Sequence, residues 1–493
     1  MRKIIEIGLA VLMVGSAEGR VALVPWPQKV VLGEGVYRLS SDSVAKSDVD
    51  WRSDAAIPAE GYRLSVCPAA ITVWSSDESG GFYALQTLRQ LARGREIPSV
   101  EIEDAPRFRH RGYMLDDARH FLGKELVKRY LDLMSEVKMN VFHWHLTDDE
   151  GWRLELKRHP EVHLKGSVRP QSMNHGATEE NPSWNGERYG PYYYTHEDVR
   201  EIVAYAAERR IQVIPEIDLP AHSRAVFVSH PEFTCIGTNE TFRYPWMKIG
   251  PQYECYCAAN EEAMRFLEDV LDEVCELFPS RQIHIGGDEC PPNRWQECRK
   301  CRALMDRLGI ERRDAGKLQT RMLRRFARFL AARGREAVAW DEVLADNMPT
   351  NIVMQLWRDP RDGRRAAAAG VDVVMSPCAW TYFSRSQGLV DDPIQYNGNA
   401  VITLEKAFGF NPVEGFSPDE AARVRGVECC CWGEMTWGWF DCNWKMWPRS
   451  FAFAEVAWSG PGRTEYADFL ARVRPLHRRL LGSFVNPAPL PER

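Results

Sequence analysis

The chain has 493 residues, of which 44% are hydrophobic and 27% charged, with a formal net charge of −6. That length exceeds one small domain and leaves room for a large barrel with a smaller companion. No basic excess offers itself to nucleic-acid phosphates, and no apolar stretch is long enough to span a bilayer, so neither a nucleic-acid partner nor a membrane span is expected.

Residues 1–19 read as a secretion signal. Arg2 and Lys3 precede an apolar run over 7–14, and the small residues Gly15, Ser16, Ala17 and Gly19 follow near a cleavage point. The expectation is an exported protein, periplasmic or extracellular. From 20 to 105 short strand-like runs alternate with polar turns, and a helix is expected around 81–93, which makes a small α+β domain. Ala105-Pro106 is the natural boundary. Across 106–493 short apolar runs alternate with helical patterns, at 112–116, 141–147, 212–218, 283–288, 337–341, 352–357, 371–376 and 427–432. Eight such runs imply an α/β fold, a (β/α)8 TIM barrel.

Each run ends, rather than begins, in a polar or aromatic residue, and barrel active sites are built at the C-terminal rim. That rim collects Asp116, Asp148, Asp149, Asp218, His222, Asp288, Glu289, Trp340, Asp341, Trp357, Tyr382, Trp432 and Glu434. Its most telling piece is 282–289, where an apolar run feeds two glycines and then two adjacent acids. Glycosidic cleavage takes one protonated carboxyl to release the leaving oxygen and one ionised group to support positive charge at the sugar carbon. Neighbours such as Asp288 and Glu289 point to opposite faces of a regular strand, so both reach one pocket only where the strand is ending. The 17 Trp residues supply flat faces for sugar rings, although most Trp in any protein is core material.

The 13 cysteines are an odd set. Cys235 with Cys257 is the best candidate for a disulfide, while Cys298-Arg-Lys-Cys301 with Cys290 could hold zinc, and unbonded thiols are the simplest reading. Cys429-Cys430-Cys431 sits in an apolar strand, where free Cys acts as a small hydrophobe.

Assembled in order, these segments resemble glycoside hydrolase family 20, the β-N-acetylhexosaminidases. The matching stretches are Arg111-Gly-Tyr-Met-Leu-Asp116 with Arg119-His-Phe121, His143-Trp-His-Leu-Thr-Asp-Asp149, Pro215-Glu-Ile-Asp-Leu-Pro-Ala-His222, 284–289, Ala339-Trp-Asp-Glu342 and Trp432-Gly-Glu434. Residues 24–28 and 81–88 are similar to that family's non-catalytic α/β domain. The resemblance implies an exo-acting, retaining enzyme on terminal GlcNAc or GalNAc whose substrate supplies the nucleophile, needing no cofactor and no metal. By it, Glu289 is the general acid and later the base, and Asp288 holds the 2-acetamido N–H. Tyr382 bonds the acetamido oxygen, and Trp340, Trp357 and Trp432 wall the pocket. Arg111 grips the 3- and 4-hydroxyls, Glu434 reads the 4-hydroxyl, and Asp148 and His222 flank the acid. On this reading Asp288 stays ionised and Glu289 has a raised pKa.

Three departures stand out. Ala221 replaces a usual Gly, which requires a negative φ there. Gly433 separates Trp432 from Glu434. After Tyr382 the family commonly has an Asp two positions on, whereas this chain has Ser384 and then Arg385, similar to members that accept 6-sulfated GlcNAc, as found in mucin-type and keratan-type glycans. Two other classes compete: a metal-dependent amidohydrolase using His143, His145, Asp148 and His222, and a non-catalytic glycan-binding protein on the same barrel. The sequence carries no signal for oligomeric state.

Overall fold

Alternation decides the first sheet. In Tyr62–Cys67, Tyr62, Leu64 and Val66 are buried while Arg63 and Cys67 face water, the period-two pattern of a half-covered strand. The computed structural model describes residues 21–174, 177, 183–237, 254–343, 351–389, 400–460, 464–483 and 485–491, and the expected secretion signal at 1–19 lies outside them. Five strands (Lys29–Arg38, Val49–Ser53, Tyr62–Cys67, Ala70–Ser75 and Glu96–Asp104) form this sheet in the order first, fifth, third, fourth, second. The helix Glu78–Leu91 packs on it. It starts at 78 rather than 81 because the Asp77 carboxylate accepts the Gly80 N–H at 2.8 Å, so a cap upstream of the apolar run sets the boundary.

Eight parallel strands follow: His110–Asp116, Val141–His145, Gln212–Glu216, Gln282–His284, Glu336–Trp340, Ile352–Leu356, Val373–Met375 and Val424–Cys431. The eighth pairs with the first and closes the barrel. This is the expected (β/α)8 barrel behind a small α+β domain. Between the fifth and sixth strands the described residues include the short turn Asp341–Val343. Outward side chains such as Leu115, Phe142, Trp144, Ile283 and Cys429 pack with the helices in one large core.

Inward side chains form layers. Val338, Val353 and Val374 make an apolar one, and Met114, Trp340, Cys430 and Trp432 make the upper one. A ladder of buried ions also runs through the interior. Glu428 pairs with His110 at 2.9 Å and His143 at 2.7 Å and accepts from Gln355 at 2.7 Å. Glu216 pairs with the other nitrogen of His143 at 3.1 Å, with His284 at 2.8 Å and with His145. Burial opposes charge on His143, but Glu428 and Glu216 outweigh it and hold the imidazole up at about 9. His143 thus lies between Glu428 and Glu216, and His145 between Glu216 and Asp148, all inside the barrel.

Arg111 overturns its expected role. As the second residue of the first strand it lies at the N-terminal end of the barrel, facing the small domain. Its guanidinium donates to Glu60 at 2.9 and 3.1 Å, to the carbonyls of Phe108 and Lys138 at 2.8 and 2.9 Å, and to the Tyr83 hydroxyl at 3.0 Å. It ties domains together and cannot reach a sugar at the opposite rim. Trp458 does similar work, packing into the small domain's core and donating to Asp104 at 2.9 Å.

Candidate active site

The fourth strand stops at His284, and the chain then turns sharply through Gly286 (φ 59°), Gly287 (φ 103°) and Glu289 (φ 46°). Left-handed backbone at a non-glycine residue is costly and persists where the surroundings over-determine it. Here it swings Glu289 to the side that Asp288 already faces. A Cβ at Gly286 would stand 1.7 Å from Asp218 Oδ1, so only glycine fits. His222 is also left-handed (φ 48°), whereas Ala221 beside it is not, which satisfies the condition its side chain sets.

The two acids converge on one imidazole. His222 Nε2 lies 3.6 Å from Asp288 and 3.4 Å from Glu289, while its Nδ1 is 3.1 Å from Asp148. Asp148 is further held by His145 at 2.9 Å and Arg119 at 2.8 Å. Burial opposes its ionisation, but Arg119 and His222 prevail and hold the carboxyl well below its usual range. Burial likewise opposes charge on His222, and Asp148 and Asp288 raise its pKa well above normal. The expected ordering of the acid pair is reversed. Burial, with Glu216 and Glu289 nearby, lifts Asp288 to about 6 against the pull of His222, and the His222 imidazole beside it lowers Glu289.

Aromatic rings wall the same space. Trp432 lies 5.8 Å from Trp340 and 5.7 Å from Tyr382, and Tyr382 stacks on Trp357 at 6.3 Å. Trp340 is anchored through Nε1 to Glu216 at 2.9 Å, and Trp357 to Glu342 at 3.1 Å. Asp288 Oδ1 and Trp432 Nε1 are buried with no hydrogen-bond partner among the described residues. Orphaned polar atoms of this kind are rare in native proteins.

Two residues of the site were given no role at the sequence level. Arg119 pairs with Asp116, Asp148 and Glu150 at 2.9, 2.8 and 3.0 Å, reaches to 4.0 Å from Glu434, and lies over the Trp432 ring at 5.2 Å. Its signal was position: it follows the C-terminal end of the first strand, where Arg111 opens it. Glu342, just after the fifth strand, is lifted to about 8 by burial and by Asp288 and Asp341. Gly433 donates to Asp116 at 2.8 Å, and a Cβ there would meet the Asp116 carbonyl at 2.7 Å, so close approach dictates this departure. Ser384 is buried, and the Arg385 guanidinium sits 5.9 Å from the Tyr382 ring centre, with no ion pair among the described residues.

All 13 cysteines are free. The Cys235–Cys257 disulfide is therefore not present, and Cys290 does not join the Cys298–Cys301 pair; it lies against Cys255. Cys429, Cys430 and Cys431 are buried in the eighth strand as expected.

Residues 108–461 match the family model described as "Glycosyl hydrolase family 20, catalytic domain", and 37–105 match "Glycosyl hydrolase family 20, domain 2". A β-hexosaminidase of Porphyromonas gingivalis is 34% identical over 457 residues, covering 89% of this chain, which spans 56% of that relative's length. One from Akkermansia muciniphila is 30% identical over 444 residues, covering 87% of this chain and 86% of its own. Among solved structures, an exo-β-N-acetylglucosaminidase of Vibrio harveyi in complex with N-acetylglucosamine superposes with a TM-score of 0.84 at 27% identity, covering 95% of this chain and 78% of that one.

Proposed function

The chain belongs to glycosyl hydrolase family 20, and from that premise we propose that it is an exo-acting, retaining β-N-acetylhexosaminidase that removes terminal β-linked GlcNAc or GalNAc. The observation that carries this reading is the unpartnered Asp288 oxygen beside Glu289, with both acids on one imidazole and aromatic rings around them.

In this mechanism Asp288 accepts the acetamido N–H and Tyr382 donates to the acetamido oxygen. That oxygen attacks C1 as the glycosidic C–O bond breaks, giving an oxazolinium ion, while the Glu289 proton passes to the leaving oxygen. Glu289 then takes a proton from water as the water oxygen attacks C1 and reopens the ring, so the anomer is retained. Tethered attack of this kind is worth about 7–11 kcal/mol at best. Binding also reorders the acid pair: an N–H donated to Asp288 favours its ionised form, and an acceptor-only glycosidic oxygen against Glu289 favours its protonated form. Arg119, in place of Arg111, holds the 3- and 4-hydroxyls together with Glu434. His222 and Asp148 position Glu289 and tune its charge.

The test is a series of aryl glycosides with one, two or three fluorines on the acetamido methyl, read alongside the product anomer by NMR. Fluorine weakens the carbonyl oxygen as a nucleophile, so the rate should fall steeply along the series with retention throughout. A flat series, or inversion, refutes the mechanism.

The finer reading is that Ser384 and Arg385 admit a 6-sulfated GlcNAc, such as caps mucin-type or keratan-type glycans. Its support is a guanidinium beside Tyr382 with no carboxylate claiming it among the described residues. Arg385→Ala should lower kcat/KM on aryl GlcNAc-6-sulfate by about tenfold or more, one charge-assisted contact, and leave plain GlcNAc unchanged. Equal loss on both sugars, or no turnover of the sulfated one by the natural chain, removes it. Export to the periplasm or beyond is part of the same proposal, resting on residues 1–19.

A further inference from the structure

We propose that Cys235, Cys257, Cys298 and Cys301 form a structural zinc site that clamps together the two rim segments carrying the catalytic acids and their histidine. The four sulfurs all lie within 4.8 Å of one another. Cys257 is 3.5 Å from Cys301 and 3.9 Å from Cys298, and Cys235 is 3.9 Å from Cys301. Tetrahedral zinc with Zn–S bonds of about 2.3 Å sets its sulfurs about 3.8 Å apart, the spacing found here. Disulfides need sulfur pairs at about 2.05 Å, and their partners exclude a third sulfur; here Cys257 and Cys301 each approach two others.

The scaffold holds the sulfurs from two directions. Cys235 and Cys257 flank the bridge between Thr234 and Tyr256, fixed by the Cys257 N–H on the Phe233 carbonyl at 2.8 Å. Cys298 caps the helix Arg299–Leu308 and Cys301 lies in its first turn, a C-x-x-C knuckle. A tetrathiolate zinc centre carries a net charge of about −2, and the helix N-terminus with Arg299, Lys300 and Arg302 beside it offsets that charge. Trp295 braces the junction by donating to the Tyr256 carbonyl at 2.9 Å.

The placement gives the site its consequence. Cys235 follows His222 by 13 residues on the segment after the third strand, and Cys298 follows Glu289 by 9 on the segment after the fourth. Bridging them fixes the separation between the imidazole and the carboxylates it serves. The metal touches no reacting atom and is a positioning element.

The full chain, expressed with zinc and purified under reducing conditions without chelator, is assayed for metal by plasma mass spectrometry. The expected result is about one zinc per chain, released as an organomercurial caps the thiolates that hold it. Cobalt in place of zinc should show thiolate-to-metal charge transfer and tetrahedral bands. Cys301→Ser should lose the metal, whereas Cys290→Ser should keep it. Removing zinc from the natural chain should lower its thermal midpoint, and adding zinc back should restore it, a readout that does not depend on any variant folding. Reduced, folded protein that binds no zinc overturns the proposal, as does peptide mapping that finds these four cysteines paired as disulfides.

Discussion

Replacing Arg111 and Arg119 separately distinguishes a residue that joins domains from one that holds substrate. Arg111→Met keeps the volume but removes five donated hydrogen bonds. Breaking a buried ion pair from one side costs about 3–5 kcal/mol, because the partner is left uncompensated. Glu60 is 22% exposed and regains water, so the lower end applies, about 3 kcal/mol. The thermal midpoint should fall by several degrees, while kcat/KM per folded enzyme on an aryl GlcNAc stays within about twofold. Arg119→Lys keeps a cation among Asp116, Asp148 and Glu150 but loses the planar fork. A charged hydrogen bond to a sugar hydroxyl is worth about 1.5–3 kcal/mol, so kcat/KM should drop by about 10- to 150-fold with a smaller change in stability. Differential scanning calorimetry with steady-state kinetics on both variants decides it. If Arg111→Met loses about a hundredfold in kcat/KM at an unchanged midpoint, the interface assignment is wrong.

Three further outcomes follow from the geometry. Because catalysis needs Asp288 ionised and Glu289 protonated, while Asp288 sits at about 6 and Glu289 below its ordinary value, kcat/KM against pH should plateau between those two and fall about tenfold per unit on either side; activity level to pH 8 contradicts this. Gly286→Ala forces a side chain onto the Asp218 carboxylate at a left-handed position and should cost about a hundredfold in kcat by displacing Asp288, and an unimpaired variant refutes the packing argument. His143, raised to about 9, contributes stability fully below its unfolded value of about 6.5 and loses it as pH rises through about 9; depressed Asp148 contributes above about 4 and loses it as pH falls. Thermal midpoints should therefore decline on both sides of a maximum near pH 5–6, and a midpoint flat from 6.5 to 9.5 would tell against the ladder's charges.

Much of the barrel could be read from the chain because each strand is buried on both faces and must be a short apolar run, and because polar residues at the ends of those runs can only be at the rim. The same logic, applied to Arg111, places it at the start of a strand and therefore at the far end from Asp116; the motif it belongs to obscured that. What the chain could not disclose was the path after His284. Two glycines signal a turn, but its course depends on Asp218 packing against Gly286 and His222 lying beside Glu289, both from another segment. The thiol cluster was hidden for a similar reason. Cys298 and Cys301 announce themselves by spacing, whereas Cys235 and Cys257 reach them only through a tertiary bridge, and Cys290, nearer in sequence, turns toward Cys255.

The alternation of imidazole and carboxylate down the barrel axis bears on how such a protein can diverge. Any one replacement among Glu428, His143, Glu216 and His145 strands an ion of the opposite sign in a dry interior, so a lineage must pass through a crippled intermediate or alter two positions together. Rim residues outside that ladder and without charge, such as Ser384, carry no such ionic constraint. The pipe beneath them descends as an indivisible block.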